Sequence, residues 1–296
     1  MPSSAVRTFT DPDEYASAIR ATKAELTVIG SGQFAAEIIR IDLHRLWMQR
    51  YFDNLPRVGH SAAMSGRAII SFRTGPGPAL LAGAVEMQPT SIVRCCEGSS
   101  NFQRSSGSAS WGSMSLPVED MVSVGTAVAG CDLVPPSDTV TVIPPPAAMS
   151  KLQRLHAAAG HLAKEAPEII ANPDAARGLE QALIEAMGSC LADGEDRENS
   201  LARGQHAIVM RRFHRVVEEN AGEPLYIPEI CKAIGVSERT LRTCCQEHLG
   251  MAPKRFLLLR RMYLARQALR QAAQEASSVT AIGTRYGFWE LGRFAV

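Results

Sequence analysis

Two stretches near the carboxyl end repeat one another 52 residues apart, and no other feature restricts the fold of this chain so strongly. The first runs from Ile230 to Gln246 and the second from Ile282 to Val296. Ile282 answers Ile230, Gly283 answers Cys231, Tyr286 answers Ile234, and Gly287-Phe288 answer Gly235-Val236. Two helices that cross at a wide angle over a short turn need a small side chain where they touch, and Cys231 supplies it. Gly235 can take the positive φ of the turn without a Cβ penalty, and Ser237 is placed to cap the helix that follows. Ile230, Ile234, Val236, Leu241 and Cys244 then share one core. Ser237, Glu238, Arg239, Arg242, Thr243 and Gln246 are left outward. A helix that enters a major groove by its amino-terminal end offers such side chains to base edges and phosphates, Arg to guanine in bidentate fashion.

A stiff element separates the two patterns. From Ala252 to Leu269 no residue after Pro253 breaks a helix, and Pro253 suits a first turn. About eighteen residues at ~1.5 Å each span roughly 27 Å, a rod able to hold two reading heads about one turn of B-DNA apart, on the order of 34 Å. Its Lys254, Arg255, Arg260, Arg261 and Arg266 are read either as phosphate contacts or as a solvated basic face. Charge follows the same division. Residues 206–296 hold 14 Lys plus Arg against 8 Asp plus Glu, a balance of +6, whereas residues 1–205 hold 17 against 22, a balance of −5; the net +1 conceals a basic module joined to an acidic one. A surface of that sign favours phosphate contact with counterion release.

The carboxyl-terminal segment resembles the DNA-binding domain of the AraC/XylS family of bacterial transcription regulators. The resemblance rests on Gly235-Val236-Ser237, Arg239 to Leu241, and His248-Leu249-Gly250-Met251-Ala252-Pro253. It continues through Phe256-Leu257, Arg261-Met262, Ala265-Arg266 and Leu269 to Tyr286-Gly287-Phe288 and Arg293-Phe294. It implies two helix-turn-helix units joined by one helix and docked in successive major-groove segments. Arg239, Arg242 and Thr243 would touch bases or phosphates from the first unit, and Trp289, Glu290 and Arg293 from the second. Family chains run somewhat further than Val296, so the second unit is expected to be truncated and frayed, with weakened affinity for DNA.

The first 146 residues read as short strands. Ile39, Ile41 and Leu43 alternate with polar residues, Gly66 to Phe72 and Ala79 to Met87 are apolar runs bounded by Gly and Pro, and Val140 to Ile143 precede three prolines. Such spacing predicts a β sandwich or barrel, and the region resembles the cupin-like amino-terminal domains of the same family, which often bind small effectors. Trp47, Arg50, Tyr51 and Trp111 are aromatic and cationic candidates for a pocket lining, although an aromatic in a barrel is more often plain core. His44 and His60 are the only histidines before residue 150, too few for the ligand set of a metal-dependent cupin, so no metal and no cofactor is expected. Leu26 to Ala35 mimics a strand leading into the Gly-x-Gly-x-x-Ala turn of a dinucleotide site. The alternation from Glu37 to Leu43 leaves no room for the crossover helix that site requires, and a turn between strands is predicted instead.

Residues 147–205 read as a helical hairpin. Leu152, Leu155, Ala159 and Leu162 share one face, Leu179, Leu183, Ala186, Met187 and Cys190 another, and Pro167 and Asn172-Pro173 break the run between them. This hairpin packs either on its own chain or across a dimer seam. The expected architecture is therefore α+β and multidomain: a β-rich sensory or regulatory domain over 1–146, a helical linker over 147–205, and an all-α DNA-binding domain over 206–296.

The seven cysteines lack metal spacing: Cys95-Cys96 and Cys244-Cys245 are adjacent, and Cys131, Cys190 and Cys231 are isolated. They are read as reduced and mostly buried in a cytoplasmic protein. The zinc-held cysteine cluster with which some DNA-repair methyltransferases accompany a similar reader domain is absent from the sequence. Neither a secretory leader nor a run near the ~18 apolar residues of a membrane span is visible. The function expected is a DNA-binding transcription regulator, more often an activator than a repressor and not an enzyme. Its expected partners are double-stranded DNA, RNA polymerase, a small-molecule effector and a second copy of the chain. The alternatives are an enzyme with a nucleotide-binding amino-terminal domain built on Gly30 and Gly32, or a dimerising protein with impaired DNA binding.

Overall fold

A computed structural model describes residues 1–95, 98, 100–130, 133–136, 139–197, 201–221, 225–272 and 279–289. The chain divides into two compact units, Met1–Asn199 and Ser200–Val296.

In chain order, the first unit contains β1 (Ser3–Phe9), α1 (Pro12–Ala18), β2 (Thr22–Val28), β3 (Ala36–Asp42), β4 (Trp47–Asp53), β5 (Arg57–Ala63), β6 (Arg67–Arg73), β7 (Leu80–Ala82), β8 (Val85–Glu86), β9 (Ile92–Cys95), β10 (Ser100–Ser105), β11 (Ala109–Pro117), α2 (Val118–Ala129), β12 (Val140–Ile143), α3 (Pro146–Glu165), α4 (Pro167–Ala171), α5 (Pro173–Ala192) and β13 (Glu195–Arg197). Among the described residues the strands form two sheets. The larger has the order β1-β3-β4-β11-β6-β9-β12-β13, the smaller β2-β5-β10-β7-β8, and the pairings are antiparallel. This is the sandwich-or-barrel layout the strand spacing predicted.

Period-two alternation sorts the larger sheet into two burial environments. Ile38, Tyr51, Val93 and Trp111 pack with Leu26 and Leu80 of the smaller sheet in one core. Ile39, Ile41, Met48, Ile70, Phe72, Met114 and Leu116 point the other way, into a second core with Leu152 and Ala159 of α3 and Leu183, Met187 and Cys190 of α5. The helical stretch is thus part of the first unit rather than a separate linker over 147–205, and residues 201–205 lie in a helix of the second unit. Of the two readings of the hairpin, packing on its own chain accounts for both apolar faces: Leu155, Leu162 and Leu179 also rest against that core. The dimer-seam reading therefore loses the residues that suggested it.

The helix boundaries follow local chemistry. Proline opens α3, α4 and α5, where its missing N–H costs nothing. The Asn172 side chain accepts from Asp174 N at 3.0 Å and Ala175 N at 3.2 Å, starting α5. A buried carboxylate then ties α5 to the sheet: Glu180 Oε1 accepts from Arg45 N at 2.6 Å and Leu46 N at 2.9 Å, in the β3–β4 turn. At the far end of β4 the Asp53 carboxylate accepts from Arg57 Nε at 3.0 Å, with both side chains almost wholly buried, and from the Tyr15 hydroxyl at 3.4 Å. Burial raises the Asp53 pKa, and the Arg57 guanidinium opposes that shift.

Two expectations for this half meet different outcomes. The run Ala79 to Met87 is not one strand but the short hairpin β7–β8, because Gly83 adopts φ 62 and turns the chain back. Gly30 and Gly32 lie between β2 and β3, with no helix after them, as the alternation of Glu37 to Leu43 required.

Between sheet and helix lies His156, fully buried and edge-on to Phe72, with its pKa lowered to about 3 chiefly by burial and further by Arg50. A histidine held neutral in the folded state contributes stability that is complete above its unfolded pKa of about 6.5, and that stability is lost as pH falls from there toward 3. Urea unfolding of the first unit is expected to lose up to ~1.4 kcal/mol per pH unit through this window from His156 alone. The His156→Gln variant lacks that component, and an equal pH slope in the two proteins would refute the assignment.

Candidate nucleic-acid interface

The second unit consists of α6 (Leu201–Glu219), α7 (Ile227–Ile234), α8 (Glu238–Leu249), α9 (Pro253–Ala272) and α10 (Val279–Arg285). α7 ends at Gly235, which adopts φ 72 and ψ 37, and Val236 N donates to Cys231 O at 3.1 Å across the turn. Ser237 caps α8: its Oγ accepts from Thr240 N at 3.1 Å. Ile230, Cys231 and Ile234 are buried on α7, and Leu241, Cys244, Cys245, His248 and Leu249 on α8. Phe213 of α6 and Phe256 of α9, ring centroids 5.8 Å apart, complete the packing beneath them.

The same turn recurs 52 residues on. Gly287 adopts φ 77 against φ 72 for Gly235, and Phe288 N donates to Gly283 O at 2.9 Å, the counterpart of the Val236 bond to Cys231. Ile282 is buried like Ile230. The repeat read from the sequence is therefore a repeat of backbone geometry. Between the two turns α9 runs without interruption for 20 residues, about 30 Å at ~1.5 Å per residue.

Ser237, Glu238, Arg239, Arg242, Thr243 and Gln246 are all exposed and lie along one side of α8 or at its start. Two of them carry local duties as well. Ser237 is engaged in its cap, and Thr243 Oγ1 donates to Arg239 O at 3.1 Å. Trp289 is exposed, whereas Glu290 and Arg293 lie outside the described residues. The basic residues of α9 divide. Lys254 and Arg255 are exposed, but Arg260 is buried and ion-paired with Glu218 of α6, so it acts as a structural bolt between helices rather than as a phosphate contact. Arg261 lies 5.6 Å from the Phe288 ring centroid, joining α9 to the second turn.

Sequence reasoning passed over His248, which the helical period of α8 turns inward together with Cys245. Burial raises the Cys244 thiol to about 11 and that of Cys245 to about 12, so neither is a ready thiolate. It also missed the pair His206 Nδ1 and Glu247 Oε2, 2.7 Å apart, which joins α6 to α8 across a separation in sequence that no local pattern spans.

Residues 230–296 match a family model described as a helix-turn-helix domain. The "Probable thc operon regulatory protein" of Rhodococcus erythropolis is 39% identical over 79 residues, covering 27% of this chain and 24% of that protein. The "XylDLEGF operon transcriptional activator 2" of Pseudomonas putida is 31% identical over 86 residues, covering 28% of this chain and 55% of that protein. The second unit carries an AraC-type helix-turn-helix domain. The matches to those two relatives span about a quarter of one relative and about half of the other. The crystal structure of the AraC-like transcriptional activator CuxR aligns with 94% of this chain and 97% of its own, at 14% identity and a TM-score of 0.47.

A narrow cavity of about 50 Å³ lies between the two sheets of the first unit. Tyr51 and Trp111 stack in its wall with centroids 3.8 Å apart, and the Tyr51 hydroxyl and Ser113 Oγ are 3.1 Å apart. Trp111 Nε1 is buried there with no hydrogen-bond partner among the described residues. Of the four lining candidates, Tyr51 and Trp111 face this cavity. Trp47 is instead clamped between the guanidinium groups of Arg20 and Arg67, each 3.6 Å from its ring centroid, and Arg50 points to the opposite side of the sheet.

Capping and turn geometry govern the stability of the reader. Ser237→Ala is expected to destabilise the AraC-type domain by ~1 kcal/mol, with Ser237→Asp avoiding most of that loss because Asp caps as well. Chemical denaturation of both variants, followed by helical circular dichroism, checks this.

Proposed function

We propose that this protein is a transcription regulator that binds double-stranded DNA in a sequence-specific manner through α8. The observation that carries the reading is the two-sidedness of that helix. Leu241, Cys244, Cys245 and Leu249 fix it over α7, and the outward side offers Arg239, Arg242, Thr243 and Gln246 to a major groove, with Ser237 and Glu238 at its leading end. The guanidinium groups suit guanine edges or phosphates, and Gln246 suits adenine. Trp289, Glu290 and Arg293 are the matching candidates in the second repeat. The +6 balance of residues 206–296 supports phosphate contact.

Activation is the mode proposed, in keeping with the names of the curated Pseudomonas putida relatives, with RNA polymerase as the partner through which a bound activator acts. The first unit is assigned a regulatory role in which a small molecule shifts the population of DNA-competent states. A homodimer belongs to this reading, with its contacts elsewhere than on the inner faces of α3 and α5. So does a cytoplasmic location, and no described helix is long and apolar enough to cross a membrane. Catalysis has no part in it. The glycine turn at Gly30 and Gly32 leads into a strand, so a nucleotide-dependent enzyme finds no support there.

Gel-shift titrations against promoter fragments at two salt concentrations test the proposal, with weaker binding expected at the higher salt. Arg239→Ala and Arg242→Ala are each expected to lower the ratio of specific to random affinity by ~1–3 kcal/mol, roughly 5- to 150-fold. A ratio unchanged in both variants would rule out α8 as the reader, and the absence of any salt-sensitive shift would overturn the proposal itself.

A further inference from the structure

The alternation of β4 carries one cation out of the inter-sheet core. Gln49 and Tyr51 line the cavity between the sheets, whereas Arg50 projects into the layer between the larger sheet and α3. Ile39 of β3 and Gly112 of β11 flank it in register. Its Nη1 lies 2.9 Å from His156 Nδ1. A guanidinium has only donors, so Nδ1 is the acceptor, the imidazole proton sits on Nε2, and the ring contributes no negative charge.

Room for this pair is made by two glycines. A methyl group on Gly160, in the middle of α3, would overlap Arg50 Cδ, and one on Gly112 would overlap the His156 ring. Glycine is disfavoured inside both helices and strands, so both elements give up local preference where Arg50 and His156 must fit.

The half-buried Arg50 has no carboxylate within ion-pair distance among the described residues. The negative charge of Glu37 acts on it, yet both Glu37 oxygens accept from Lys164 Nζ, at 2.6 and 2.8 Å. Burial lowers the Arg50 pKa and Glu37 only partly offsets this, as expected of a cation short of compensation. Arg50, Lys164 and Glu37 together border a pocket of about 400 Å³, and their formal charges sum to +1. Ile39, Phe52 and Ala157 add apolar wall, and Ser110 and Thr74 add hydroxyls.

We propose that this pocket between β4 and α3 binds a small monocarboxylate, whose carboxylate pairs with the free donors of Arg50 and whose short apolar body lies against Phe52 and Ala157. One bound negative charge neutralises the excess of +1, and the planar guanidinium suits a two-oxygen anion. The site is distinct from the narrow inter-sheet cavity, which lies on the other face of the same strand. Binding at this site is independent of the DNA-binding proposal. Only a consequence for DNA affinity rests on that reading, and calorimetry and gel shift report on the two separately.

Isothermal titration of the full chain with the straight-chain carboxylates from acetate to hexanoate, with the matching neutral amides and with inorganic phosphate, tests the site. At least one carboxylate is expected to saturate while its amide gives no heat. Arg50→Gln is expected to weaken that binding tenfold or more, and Lys164→Gln, at an exposed position, by a smaller factor. Arg50→Lys, which keeps the charge but loses the planar fork, is expected to bind measurably but more weakly and serves if Arg50→Gln does not fold. Equal binding of acid and amide, binding of phosphate alone, no saturation by any carboxylate, or affinity undiminished in the Arg50 variants would overturn the proposal.

Discussion

A sheet covered on both faces governs the first unit. Antiparallel sheets commonly leave one face to water, but the larger sheet here buries Ile38, Tyr51 and Trp111 against the smaller sheet and Ile39, Met48, Ile70 and Met114 against α3 and α5. A one-residue slip of β4 would exchange its two sets, sending Arg50 into the inter-sheet core and Gln49 and Tyr51 toward the helices. Polar groups that anchor the layers depend on the same register. Glu180 reaches the β3–β4 turn, Asp53 meets Arg57 at the end of β4, and His156 meets Arg50. Each is a buried polar contact whose loss would leave a partner unsatisfied, so the register is held by polar complementarity as well as by apolar area.

The second unit is organised on a smaller scale, by the backbone of its turns. Left-handed glycines at 235 and 287 and the matching bonds from Val236 to Cys231 and from Phe288 to Gly283 shape the two turns, and the first sets the crossing of α7 and α8. Once that crossing is set, the 3.6-residue period of α8 decides which side chains are inward and which remain for a ligand. Arg260 marks the limit of reading charge from sequence. It belongs to a basic stretch, but its position on α9 turns it toward Glu218, and the ion pair holds α6 against α9.

Local signals made some of this legible. Gly235, Ser237 and the prolines at 167 and 173 act within one or two turns of the chain, and the structure has the expected turn at Gly235, the cap at Ser237 and helix boundaries at both prolines. The exposed face of α8 followed from periodicity alone, because a short helix over a fixed turn has one buried side. Periodicity served less well between 147 and 205. It identified the apolar faces of α3 and α5, but an apolar face does not name what covers it, and the cover is the larger sheet. The run Ala79 to Met87 misled because apolar composition does not reveal a reversal, whereas the positive φ of Gly83 produces one.

The sequence by itself determined the repeated helix-turn-helix, the caps and breaks of its helices, the β-rich character of the first half and the turn at Gly30, since each depends on contacts a few residues apart or on strand alternation. Tertiary structure alone decided that α3 and α5 belong to the β unit, that Arg260 is bound to Glu218, and that Arg50 meets His156 beneath Gly160. Those contacts join residues 42 to 106 positions apart in Arg260–Glu218 and Arg50–His156. Their partners are chosen by how layers stack, and no local pattern encodes which side chain will stand opposite another once the layers close.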